Sequence, residues 1–232
     1  MRTTSTGEQS WSGIVRLLAF LLSATSIGAL LGEFYFAGTM RSTTLYTLLP
    51  ASVLLLSLAT ADAVRGSGKH FRFIMIGLLS GFIAAVAYDI FRLPFVFAKQ
   101  WGLTSFIPAM PLFKVFPAFG AMILGMPALM PSYPLEAHLL GWLYHFSNGM
   151  TFGCMYVAIV GNPMKHHWAW AVLFALGLEA AMLLTPYTTL FQIHPGRNFL
   201  LVTITAHLIF GVVMGISVRR LTLTWLRPQA PA

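Results

Sequence analysis

Six long apolar runs, parted by short stretches rich in charge, proline or glycine, dominate this chain: residues 14–36, 45–64, 71–97, 138–160, 168–185 and 199–218. About 20 apolar residues make one helical bilayer crossing. Inside hydrocarbon each backbone N–H and C=O must be satisfied within the segment, which leaves helices as the fold for such runs. The expectation is an all-α polytopic membrane protein, one membrane domain over residues 1–232, with six transmembrane helices. Composition agrees. Only 9% of the 232 residues are charged, against about 25% in soluble domains, which excludes an ordinary soluble globule and a disordered chain. Cys154 is the single cysteine, so a disulfide scaffold is excluded too. The first run exceeds a typical signal-peptide core, lacks a small-x-small cleavage site and carries Glu33, so it is expected to be retained.

Between the third and fourth runs the pattern changes. From the end of the third run onward, Pro94, Pro108, Pro111, Pro117, Pro127, Pro131 and Pro134 crowd together. The apolar stretch 115–130 within the insert 98–136 is short and interrupted by proline, which removes a backbone donor and clashes with the preceding turn. It is expected to be re-entrant or interfacial rather than a seventh span. Charge supports that choice. With six spans and the N-terminus inside, Arg2, Arg16, Arg65, Lys69, Arg72, Lys165, Arg219, Arg220 and Arg227 are cytoplasmic, and Arg41, Arg92, Lys99, Lys114 and Arg197 lie opposite. That distribution obeys the positive-inside rule. It predicts a bacterial-type inner-membrane protein, multi-pass, with both termini cytoplasmic. A net charge of +8 without any basic run does not point to nucleic acid.

Ionisable residues within spans are costly and each needs a reason. At about 1.5 Å of rise per residue, Glu33, Asp89, His145, Glu179 and His207 all fall roughly 8–12 Å below the outer boundary. Four of them top a stripe of small residues at steps of four: Gly77, Gly81 and Ala85 lead to Asp89, Ala171 and Ala175 to Glu179, while Gly149 and Gly153 follow His145, and Gly211 and Gly215 follow His207. Residues four apart share a helix face, and small residues let helices approach closely in lipid. The stripes are expected to pack together, so that Asp89, His145, Glu179 and His207 converge. An acid-bearing rise followed by a histidine-bearing descent occurs twice, in the pattern of an internal parallel repeat.

Imidazoles and carboxylates are a ligand set for a divalent metal such as zinc or iron, and helical bundles build such sites from one ligand per helix. Asp89, His145, Glu179 and His207 are therefore the candidate metal ligands. Glu33, Tyr88, Arg92, His138, Asn148 and Thr203 are candidates for the surrounding polar shell or for substrate contact, and Tyr144 and Asn148 flank His145. Arg92 stands three residues from Asp89, placed to pair with it or to hold an anionic group such as a lipid phosphate. A metal at this depth would polarise an oxygen or activate water, and a lipid, quinone or other apolar substrate would reach it sideways. Whether the chain is an enzyme is left open.

Other readings stand beside this one. His145 and His207 at matching depth are also what a b-type haem requires. Intramembrane acids and histidines suit a proton- or metal-coupled carrier. They also serve simple hydrogen bonding across helices in a structural or assembly subunit, and a homo-oligomer or larger membrane complex is compatible with the sequence. Met122, Met126 and Met130 form a row at steps of four, and Met150 with Cys154 repeats the step; both read as packing. His166 and His167 beside Trp168 and Trp170 read as an interfacial anchor, and Trp101 and Trp142 as outer belt residues. No nucleotide-binding, nucleophile-elbow or zinc-protease motif occurs.

Overall fold

All six apolar runs become helix in the computed structural model, which describes residues 12–36 and 38–225. The elements are α1 (Gly13–Tyr35), α2 (Met40–Thr43), α3 (Leu49–Arg65), α4 (Lys69–Val96), α5 (Val115–Leu124), α6 (Leu135–Val160), α7 (Trp170–Leu184), α8 (Tyr187–Leu190) and α9 (Arg197–Trp225), with no strand among the described residues. Arg2 and Arg227 lie outside them. A π turn at Thr44–Leu48 joins α2 to α3, giving one helix over Met40–Arg65. It starts ahead of the expected residue 45 because Thr39 and Ser42 form a capping box and the Glu33 carboxylate accepts the Met40 N–H at 2.6 Å. The widened turn precedes Pro50, whose ring crowds the preceding turn and whose nitrogen cannot donate.

Among the described residues four helices are long and apolar enough to cross a membrane: Gly13–Tyr35, Met40–Arg65, Lys69–Val96 and Arg197–Trp225. This is the make-up of an integral membrane protein. Of the other two expected spans, α6 has 26 residues but carries His138, His145, Ser147 and Asn148, which lower its hydropathy. α7 has only 15, because its chain leaves the helix at Thr185 just before Pro186. Within the Pro-rich insert, α5 has ten residues, about 15 Å of helix, and its face from Val115 to Met122 is buried. Gly125, at φ 79°, ends it, so the expected methionine row is broken after Met122.

The helices form an arc in the order α1, α6, α4, α9, α7, with α3 against α1 and α4, and α5 against α6. Glycine makes the tightest joints. A Cβ on Gly81 would stand 2.0 Å from the Gly149 carbonyl oxygen, and one on Gly153 would stand 2.1 Å from that of Gly77. On the second pair, Gly211 faces Ala171 and Val172 of α7, and Gly215 faces the Trp168 carbonyl and Ala171. The stripes do pack, but pairwise: α4 with α6, and α7 with α9. With little more than glycine and alanine between them, close dispersion contacts hold each pair where lipid offers no hydrophobic drive. The end of the bundle bearing the Pro-rich insert has its own core, built on Phe116, Phe119, Tyr144, Tyr187 and Phe191.

Candidate functional site

Because each stripe faces one partner, the residues that top the stripes meet in twos. Asp89 of α4 and His145 of α6 meet at 2.8 Å, Oδ2 to Nε2. Glu179 of α7 and His207 of α9 meet at 3.0 Å, Oε2 to Nδ1. The two dyads differ in how well they are satisfied. Asp89 also accepts from Arg92 Nη1 at 3.3 Å. In the second dyad, His207 Nδ1 faces the Thr203 carbonyl oxygen at 2.9 Å. That nitrogen is aligned with the carbonyl, and neither Glu179 oxygen receives a well-aligned hydrogen bond although the residue is only 2% exposed.

Tyr88 packs against the histidine of each dyad. Its ring centroid lies 5.0 Å from that of His207 and 6.2 Å from that of His145. The expected four-ligand metal centre of Asp89, His145, Glu179 and His207 finds no support in this arrangement. Among the described residues no three His, Cys, Asp or Glu side chains gather closely enough to hold a metal ion. The physical reason is pairing: each carboxylate faces its own imidazole, and the cation already beside Asp89 is Arg92.

Arg92 is buried, 5% exposed, and joins three parts of the site. Its Nη2 donates to the Leu112 carbonyl, tying the Pro-rich insert to α4. Its guanidinium lies 4.6 Å from the Tyr88 ring centroid and 5.0 Å from that of Phe113, cation–π contacts that gain strength away from water. Its Nε is buried without a hydrogen-bond partner. His145 sits in an aromatic box, stacked on Phe116 at 4.2 Å and edge-on to Trp142 at 5.8 Å. Trp142, half-exposed, is the outer wall of this box, because α5 approaches α6 through Gly120 and Gly141 and brings Phe116 against it.

These groups border a cavity of about 190 Å³. Its polar wall carries Tyr88, Arg92, His145, Asn148 and His207, and most of the rest is apolar, including Leu30, Phe34, Phe119, Ala181 and Met182. Its flanks are α1 and α7, the two ends of the arc, whose main packing partners lie elsewhere. Ala181 on this flank is exposed, so the cavity reaches the outer surface of the bundle between them. A second chamber of about 320 Å³ shares Tyr88, Arg92, Val115, Met182 and Tyr187 with the first and adds Lys114, Gln192 and His194 near the end of the bundle. Tyr187 is buried and lines both chambers.

The remaining sequence candidates sort clearly. Tyr88, Arg92 and Asn148 line the cavity. Thr203 contributes its carbonyl to His207, while its hydroxyl donates to Phe199. Glu33 serves the start of α2, and His138 is exposed at the head of α6 beside Tyr133; neither lines the cavity. Tyr144 donates to the Ser26 carbonyl of α1 at 2.7 Å, so it anchors α1 rather than His145. His167 accepts from the Ala169 N–H, a local turn contact. Phe116, Trp142 and Tyr187 were not foreseen as site residues; the aromatic content of 115–119 was the one hint.

Comparison with known proteins finds no matching family model, no matching curated protein and no matching solved structure.

Proposed function

We propose that this chain is a six-span, inner-membrane protein that binds a lipid-like or quinone-like molecule from the side, in the half of the bilayer nearer the Pro-rich insert. The carrying observation is the cavity flanked by α1 and α7, apolar over most of its wall, with Arg92 and two carboxylate-paired imidazoles on its polar side. An apolar body fits the wall. A carbonyl, hydroxyl or acid head fits the polar side, where each histidine has one ring nitrogen committed to its dyad and the other left to accept or give a proton.

The remaining two crossings in this reading are α6, about 39 Å long, and α7 extended by its flanking turns. The bias of Arg and Lys supports cytoplasmic termini, with Arg16, Arg65, Lys69, Arg72, Lys165, Arg219 and Arg220 on one side. Binding suits the site better than conduction. The glycine seams close α4 on α6 and α7 on α9 in the opposite half.

The test is extraction and mass spectrometry of small molecules retained by protein purified in a maltoside detergent, compared with Ala181→Trp. The side chain of Ala181 stands at the lipid-facing flank, so the larger ring blocks it. An apolar molecule retained near one per chain in the parent and lost in the variant supports the reading; equal or absent retention in both sinks it.

A further inference from the structure

We infer that the molecule taken up is an anionic amphipath, its head a carboxylate or phosphate ester lodged between Arg92 and Lys114; this rests on the binding reading above. Three observations carry it. First, Arg92 lines both chambers and, although 5% exposed, leaves Nε without a partner. An unpaired buried donor on a guanidinium is expensive, and an acceptor arriving from either chamber would satisfy it. Second, the outer chamber carries Lys114 and His194 and no Asp or Glu in its lining. Third, the inner chamber is mostly apolar and meets the lipid side at the α1–α7 flank. The two chambers therefore offer a cationic head site continuous with a hydrocarbon site.

The acids nearby do not cancel this. Asp89 engages Arg92 Nη1 and His145, which balances the guanidinium charge and leaves Lys114 as the excess cation of the head site. Glu179 faces His207 and lines neither chamber. Lys114 Nζ has a long 3.4 Å bond to the Gln192 carbonyl, and the residue is exposed, so it can turn to a ligand without disturbing the core.

Binding to the purified full chain is measured with three probes: dodecyl phosphate, the neutral 1-dodecylglycerol and inorganic phosphate. Dodecyl phosphate is expected to bind about tenfold or more tightly than the neutral probe, to weaken in high salt, and to lose severalfold affinity in Lys114→Gln. Dodecylglycerol affinity should not change in that variant, which also reports that it is folded. Equal affinity for the two amphipaths overturns the anionic head while leaving the cavity reading in place. Binding of neither amphipath overturns both. Inorganic phosphate binding as tightly as dodecyl phosphate overturns the amphipath and makes the outer chamber an ion site.

Discussion

Gly81 of α4 and Gly149 of α6 meet backbone to backbone, one turn or two below the place where Asp89 and His145 join. A Cβ on Gly81 would contact only backbone atoms, the Gly149 carbonyl oxygen at 2.0 Å, its carbon at 2.9 Å and the Gly153 nitrogen at 3.0 Å. No rotamer change can relieve that. Gly81→Ala should therefore cost about 1–3 kcal/mol or more and lower the melting temperature in detergent by several degrees. Gly28→Ala is the control, since nothing lies within 4 Å of its added methyl; it should be neutral or slightly stabilising. Equal melting of the two variants would refute the seam.

Asp89→Ala should be among the most damaging substitutions in the chain. It removes the acceptor of both His145 and Arg92 and leaves a buried guanidinium without its counter-ion. Breaking a buried pair from one side costs about 3–5 kcal/mol. Size-exclusion profiles of the solubilised protein should show loss of the monodisperse peak, and Asp89→Asn, which keeps an acceptor oxygen, should recover part of it.

Glu179→Gln should behave differently. Neither carboxylate oxygen of Glu179 accepts a well-aligned bond, so a neutral amide of the same shape forfeits little and sheds the desolvation of a charge. Thermal melts should place it within about 1 kcal/mol of the parent or above it. A loss as large as that of Asp89→Ala would show that the second dyad is held as firmly as the first.

Orientation is checked by labelling. Cys154 is fully buried, so in a Cys154→Ala background a single cysteine at Ser67 or at Ser132 reports one end of the bundle each. Six spans with the N-terminus inside predict that a membrane-impermeant maleimide labels Ser132→Cys in intact cells and Ser67→Cys only after lysis. Labelling of both from one side would break the topology.

The helices themselves were readable because a bilayer admits few alternatives: long apolar runs end at charge, Pro or Gly, and the structure moves most boundaries by a few residues. The stripes were readable as well, since steps of four identify a face. What periodicity does not encode is which neighbour a face meets. Gly77 and Gly81 could have faced any small-residue stripe, and their choice of Gly149 and Gly153 turned an expected quartet into Asp89–His145 and Glu179–His207. Glu33 shares the depth of that layer, yet a short helix start at Met40 claims its carboxylate. The aromatic box depended on α5, whose approach through Gly120 and Gly141 is a tertiary event that the local sequence of the insert does not specify.

Two stiff blades result from the glycine welds, α4 with α6 and α7 with α9. They touch along α4 and α9, where side chains such as Tyr88 and Phe210 intervene, their ring centroids 6.4 Å apart. A joint filled by side chains yields more readily than one made of backbone. Swelling of the void to admit a guest should thus be a turn of one blade against its fellow about that line, carrying each acid–imidazole couple along intact.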